Sequence, residues 1–323
     1  MNIAVTGATG FLGRYVVNHL VVEGHRCRCW YRPQSDRGGF VDERAVTWVP
    51  GGLDQPDSVG RLLESVDAVV HAGVYQPPWG GGHRGAKTDA VGFADVNVIG
   101  SLRLIQAARG SAVERFVVIS SCGVHDLILD DRPLDETHPL WPLSHYGASK
   151  AAVEMFVHSF GLPHRRPACQ RPTHDHLESQ DGWGICALRP VGIYGVRRPL
   201  AGSKWFELVR CVLAGEPVDD ISGGKEVHAE DVARAVSVLI ATPTRSIAGR
   251  CFHCCDLHVT AGEVAEIACV KTGSHSPIGR RHPGPKHQIT SAQLQSLGMR
   301  FGGRPRLDRY IGELIAAISD QPT

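Results

Sequence analysis

Three side chains in this 323-residue sequence have the types and spacing needed to hold and protonate a carbonyl oxygen: Ser121, Tyr146 and Lys150. In Tyr146-Gly147-Ala148-Ser149-Lys150 the lysine follows the tyrosine by one helical turn and therefore shares its face. A phenol titrates near ~10, so it works as an acid or base near neutrality only where a neighbouring cation favours the phenolate. Upstream, Ser120-Ser121 closes an apolar run that reads as a fifth strand, which sets a hydroxyl at the carboxyl edge of a sheet, where open α/β folds bind ligands. A second constellation is Gly7-Ala8-Thr9-Gly10-Phe11-Leu12-Gly13, between the first apolar run and the first helical pattern. Glycines there allow a tight turn, close approach of backbone to a pyrophosphate and close helix-to-strand packing, while the helix N-terminus supplies N–H groups.

Positioning these groups falls to a regular alternation over the first 190 residues. Ile3 to Thr6, Arg26 to Tyr31, Ala45 to Val49, Asp67 to His71, Phe116 to Ser120 and Ile185 to Leu188 read as buried strands. Arg14 to Glu23, Ser58 to Ser65, Ala94 to Arg109 and Tyr146 to Phe160 read as helices between them. Strict alternation implies right-handed crossovers and a doubly wound parallel sheet covered on both faces. Gln76 to Asp89 and Leu162 to Gly182 are too rich in Gly, Pro or polar residues for regular elements and read as a flap and a surface insertion. Beyond residue 190, Val227 to Ala241 reads as a loop leading into a helix, Gly249 to Cys255 as one more strand and Ile311 to Ile318 as a terminal helix.

Composition narrows the partners. The 34 basic and 33 acidic residues leave a net charge of +1, too little for the long-range field of a nucleic-acid or anionic-membrane binder, so a small molecule is expected. No apolar run reaches the ~18 residues of a membrane span. Met1-Asn2 leads directly into Ile3-Ala4-Val5-Thr6 without the parts of a secretory signal, and a cytoplasmic location is expected. Ten cysteines in a chain of this length read mostly as small buried hydrophobes.

With these motifs in hand, the chain resembles the extended short-chain dehydrogenase/reductase family, also called the NAD-dependent epimerase/dehydratase group. The likeness extends to His71-Ala72-Gly73, Asn97 in Val96-Asn97-Val98-Ile99-Gly100, Ile119-Ser120-Ser121, Arg189-Pro190 followed by Tyr194-Gly195, and Val227-His228-Ala229-Glu230-Asp231-Val232-Ala233. The resemblance implies a Rossmann domain, 1–190 plus 226–256, that binds a nicotinamide dinucleotide, and a smaller C-terminal substrate-binding region, 191–225 plus 257–323. It implies that Gly7, Thr9, Gly10, Phe11, Leu12, Gly13, Leu53, His71, Ala72 and Asn97 contact the cofactor. In its terms Tyr146 is the acid/base, Ser121 steadies the substrate oxygen, and Lys150 binds the nicotinamide ribose and lowers the phenol's pKa. It also implies a homodimer through the helices after the fourth and fifth strands.

An NAD enzyme carries a carboxylate at the end of its second strand, whereas this chain reads Trp30-Tyr31-Arg32-Pro33, with Arg37 nearby and no acid before Asp36. Arg32 therefore points to NADP, with NAD as the alternative. The expected function is an oxidoreductase moving hydride between nicotinamide and a carbonyl or alcohol carbon. The alternatives are a nucleotide-sugar epimerase or dehydratase that retains NAD, and a non-catalytic dinucleotide-binding regulator. Four features depart from the family pattern: Gly51-Gly52-Leu53 lacks the Asp of Gly-Asp-Leu, Val124-His125-Asp126 replaces Val-Tyr-Gly, Val196 follows Tyr194-Gly195, and the 162–182 insertion has no counterpart.

No metal is expected. Cys251 and Cys254 fall on opposite faces of a strand and have no second ligand pair, and Cys27 and Cys29 read as core. His164, His174 and His176 read as solvated loop, Cys122 as a buried strand-end thiol, and the basic run from Gly279 to His287 as a loop facing solvent.

Overall fold

The computed structural model describes residues 1–75, 89–162, 182–219, 222–279 and 287–320. Most of the flap, most of the insertion with His164, His174 and His176, and residues 280–286 of the basic run lie outside the described residues. The strands are β1 (Asn2–Thr6), β2 (Arg26–Tyr31), β3 (Val46–Pro50), β4 (Ala68–His71), β5 (Arg115–Ile119), β6 (Gly184–Pro190), β7 (Gly192–Tyr194), β8 (Gly223–His228), β9 (Arg250–Cys254) and β10 (Leu257–Thr260). The helices are α1 (Phe11–Val22), α2 (Ser58–Leu63), α3 (Ala90–Ala94), α4 (Gly100–Arg109), α5 (His145–Gly161), α6 (Phe206–Ala214), α7 (Ala229–Ala241), α8 (Thr244–Ile247), α9 (Ala261–Thr272), α10 (Ala292–Ser296) and α11 (Gly303–Ser319).

Seven strands form one parallel sheet in the order β3-β2-β1-β4-β5-β6-β9, which is the doubly wound α/β arrangement of the Rossmann type. Side chains alternate across it with period two. Ile3, Val5, Val117, Ile119, Cys186 and Leu188 pack on one face with Val16 and Leu20 of α1 and Val232 and Val236 of α7. Ala4, Phe116, Val118, Ile185 and Ala187 pack on the other with Leu104 and Ile105 of α4 and Val153 and Val157 of α5. Cys27 and Cys29 lie together in the first layer, and Cys254 and Cys251 fall in opposite layers, as their spacing predicts. The strand order reverses between β1 and β4, and the crevice there opens at the carboxyl ends of the strands.

Two differences from the sequence reading bear on the site. Val227 and His228, read as loop, are the end of β8 and pair with Ile193 and Tyr194 of β7. Their strand begins at Gly223-Gly224, which carries no strand signal, and it joins β10 and β7 in a second, three-stranded sheet. The helix read over Ala94 to Arg109 is broken: α3 and α4 flank a π-helical turn at residues 95–99, a form frequent at functional sites. The second sheet packs with α6, α9 and α11 around Tyr194, Phe206, Leu307 and Tyr310. Among the described residues no helix is long and apolar enough to cross a membrane.

Candidate active site

β1 ends at Thr6, and the chain turns at Gly7 with φ +71°, a left-handed value that favours glycine. A Cβ at Gly13 would overlap the Gly7 carbonyl, so α1 reaches the strand only because residue 13 has no side chain. At Gly10 a Cβ would meet only the Gly7 carbonyl oxygen, at 3.1 Å. Gly10 caps α1 without a side-chain hydrogen bond, which leaves the N–H groups at Phe11, Leu12 and Gly13 for an anion. A cleft continues from this turn past Thr9, Arg32, Ser35 and Leu53 to Val74. The donor-rich turn, the lack of a side chain at Gly10 and this cleft fit a dinucleotide.

Arg32 lies on the cleft, and its guanidinium has no hydrogen bond or ion pair among the described residues. Asp36, the first acid after β2, is engaged elsewhere: Arg14 lies 3.1 Å from its carboxylate and Arg198 3.5 Å. A backbone hydrogen bond from Gly38, with those two cations, holds its carboxyl below the ordinary range. Sequence reading missed Asp54, which lines the cleft although the family's Asp two residues earlier is Gly52. An acid within two residues of the expected position was the available signal.

His71, at the end of β4, is 2% exposed and satisfied at both ring nitrogens: Nδ1 lies 2.7 Å from Thr6 Oγ1 and Nε2 2.8 Å from Ser101 Oγ. Burial, with Lys150 nearby, pushes its pKa down to about 3, so the imidazole is neutral. Ala72 follows it, where its carbonyl packs on Gly7. Asn97, in the π-helical turn, grips Tyr75 from both sides: Oδ1 accepts from Tyr75 N at 2.8 Å and Nδ2 donates to Tyr75 O at 3.1 Å.

Ser121, Tyr146 and Lys150 come together where β5 ends. Ser144 caps α5 by accepting from Gly147 N at 3.1 Å. Gly147 itself lies so close to the Gly123 carbonyl that only a hydrogen fits, which presses the start of α5 onto the turn carrying Ser121. The Ser121 hydroxyl is hydrogen-bonded to Tyr146 and also accepts from Gly123 N at 3.0 Å. Lys150 is buried, donates to Ile119 O at 2.8 Å, and holds Nζ 5.7 Å from the centre of the Tyr146 ring. Burial pulls the ammonium down to about 8, opposed by Glu154. The phenol differs from expectation: burial pushes it above its ordinary value, and the group pulling it down is Ser121, where Lys150 was expected.

Cys122 gives its thiol to Arg189 O at 3.0 Å, and burial raises its pKa, which leaves it a thiol rather than a nucleophile. His125, one of the departures from the family pattern, meets His253 of β9, their Nε2 atoms lying 3.1 Å apart. Among the described residues no cluster of three or more His, Cys, Asp or Glu side chains is placed to hold a metal.

The sequence pattern of the NAD dependent epimerase/dehydratase family matches residues 3–255. A dTDP-glucose 4,6-dehydratase of Streptomyces antibioticus is 32% identical over 264 residues, covering 72% of this chain and 75% of that protein. Sterol demethylase protein B of Methylococcus capsulatus is 26% identical over 314 residues, covering 93% and 80%. The match to photosystem II assembly factor Ycf39 of Synechocystis spans only 33% of that protein's length. Among solved structures, a dTDP-glucose 4,6-dehydratase from Streptomyces venezuelae with NAD bound has the same fold, with a TM-score of 0.70 at 23% identity over 97% of each chain. The chain therefore belongs to the NAD dependent epimerase/dehydratase family, enzymes of oxidoreductase type.

Proposed function

We propose that this chain is a cytosolic NADP-dependent oxidoreductase that interconverts a carbonyl and an alcohol on a small molecule, with Tyr146 as the acid/base. The observation that carries the reading is the meeting of Ser121, Tyr146 and Lys150 at the end of β5, on the same sheet as the glycine turn that follows β1, two strands away. Gly7, Thr9, Gly10 and the N–H groups of Phe11, Leu12 and Gly13 would hold the dinucleotide, with Leu53, Ala72 and Asn97 walling it and Arg32 taking a 2′-phosphate. Bound there, the nicotinamide supplies or accepts the hydride. The buried phenol stays protonated at neutral pH, which suits proton donation to a substrate oxygen in the reductive direction. Ser121 steadies that oxygen, and Lys150 holds the ribose. Residues 191–225 plus 257–323 form the substrate side, where a cavity lies between Trp205, Phe206, Val218 and Glu226. The homodimer implied by family likeness is supported by Val91 on α3 and Met155 on α5, which are 80% and 50% exposed.

A cofactor titration tests the reading. NADPH should bind tighter than NADH on the order of 10- to 100-fold, the scale of a charge-assisted hydrogen bond, and Arg32→Ala should erase the gap. Equal affinities in the unaltered protein would refute the NADP assignment. The second reading, a nucleotide-sugar epimerase or dehydratase with retained NAD, is supported by the dTDP-glucose 4,6-dehydratase relative. Native mass spectrometry of freshly purified protein separates the two, because only the second retains NAD through purification.

A further inference from the structure

Three consecutive residues leaving β5 each grip a different turn of α5. Ile119 O accepts from Lys150 Nζ at 2.8 Å, the Ser120 hydroxyl donates to Glu154 Oε1 at 2.5 Å, and the Ser121 hydroxyl is hydrogen-bonded to Tyr146. Positions 146, 150 and 154 are four apart, so the three partners form one row along the helix face turned to the sheet. Two of the rungs hold the proposed reaction residues. The third, at Glu154, is 0% exposed and is completed by Arg189 of β6, itself 2% exposed. Arg189 meets the carboxylate at two points, Nε to Oε1 at 2.9 Å and Nη2 to Oε2 at 2.8 Å, and its Nη1 lies 3.2 Å from His125 Nε2. A buried ion pair is often no more stabilising than two well-packed apolar side chains. Its place one turn beyond Lys150 gives it a different task.

We propose that Glu154, clamped by Ser120 and Arg189, is a positioning residue that acts through Lys150, fixing the register of α5 against the end of β5 and keeping the lysine an ammonium. The functional consequence rests on the reading of Lys150 as the residue that holds the cofactor ribose. Lys150 is faced by Tyr146 and Glu154 from α5, His71 from β4, Ile119 O from β5, Ser101 from α4 and Asn97 from the π-helical turn. His71 is neutral and Tyr146 is a phenol at neutral pH, which leaves the Glu154 carboxylate as the charge opposing desolvation of the ammonium. A lysine with a lowered pKa loses its proton as pH rises through that value. Without the carboxylate the loss comes at lower pH.

The sequence has six lysines, so the Cε resonance of Lys150 is readily assigned in 13C-lysine-labelled protein by comparison with Lys150→Met. In the unaltered protein its titration midpoint should lie near 8. In Glu154→Gln it should fall by roughly one unit, the scale of one lost close opposite charge. Removing one member of a buried pair is strongly destabilising, so two further variants accompany it. Glu154→Leu combined with Arg189→Met replaces the pair by apolar groups and should show the same fall, and Ser120→Ala, which loosens the clamp without leaving a charge unpaired, should show a smaller one. On the same samples, NADPH affinity should decline on the alkaline side at correspondingly lower pH. A Lys150 midpoint unchanged in whichever of these variants fold overturns the inference. A midpoint that falls while NADPH affinity stays flat with pH upholds the inference and counts instead against Lys150 as a cofactor residue.

Discussion

Tyr146→Phe is expected to lower turnover by about 10²- to 10⁴-fold, the contribution of a positioned general acid, while leaving dinucleotide affinity nearly intact. The phenol is held at the end of β5 by Ser121, and on the proposed reading it acts on the substrate oxygen, so its loss would remove the proton and little of the cofactor's binding energy. Lys150→Ala should behave differently, weakening cofactor binding as well as turnover. In the unaltered protein affinity should already fall as pH rises through about 8, because a lysine whose pKa burial has lowered gives up its charge there. Ser121→Ala should cost roughly one to two powers of ten, the loss of one neutral hydrogen bond to the reacting oxygen. Steady-state rates on a substrate found by screening aldehydes, ketones and nucleotide sugars measure all three. Near-normal turnover by Tyr146→Phe would end the assignment.

The glycine turn makes the second strong demand. On the proposed reading, Gly10→Val should weaken dinucleotide binding on the order of 100-fold or more, because it would fill the space before the N–H groups proposed to meet the pyrophosphate, each such bond to a charged group being worth about 1.5–3 kcal/mol. The fold should survive, since the nearest protein atom to the new Cβ is the Gly7 carbonyl oxygen at 3.1 Å. Gly13→Val should fail in the opposite manner. Its Cβ has no room against Gly7 and Ala8, so α1 must lift from the sheet, an overpacking cost of about 1–3 kcal/mol or more that thermal unfolding reads directly. Two variants three residues apart thus separate ligand space from packing space. Tight NADPH binding by Gly10→Val would place the dinucleotide elsewhere.

The central sheet was legible because each of its strands is a short apolar run, with the observed ends within two residues of those read from the sequence. The glycine turn and the Tyr146/Lys150 row were legible because both are local: three glycines and one helical turn carry the geometry. What stayed hidden depends on contacts between distant segments. Nothing near Glu154 announces that Ser120 and Arg189 close around it from 34 and 35 residues away. His125 and His253 are separated by 128 residues, and only the sheet order β5-β6-β9 brings the turn after β5 to the strand that carries His253. The second sheet escaped because β7 has three residues and β8 opens on two glycines, too little pattern for period-two reading.

The hydrogen bonds around His71 run in one direction. Gly73 N–H donates to Thr6 Oγ1, so the threonine hydroxyl hydrogen turns to Nδ1; Ser101 donates to Asn97 O, so its lone pair receives the proton on Nε2. Every dipole in the string points the same way and reinforces the next. The imidazole is thereby fixed as a single tautomer, a property that 15N chemical shifts of the ring report without any ligand. With its lone pair and its proton both spent, and its pKa near 3, the ring has nothing to give a reactant. His71 therefore adds neither charge nor a transferable proton to its side of the cleft, and on the proposed reading Tyr146 protonates the substrate oxygen, while the product's configuration would be decided by which face of the carbonyl is turned toward the nicotinamide.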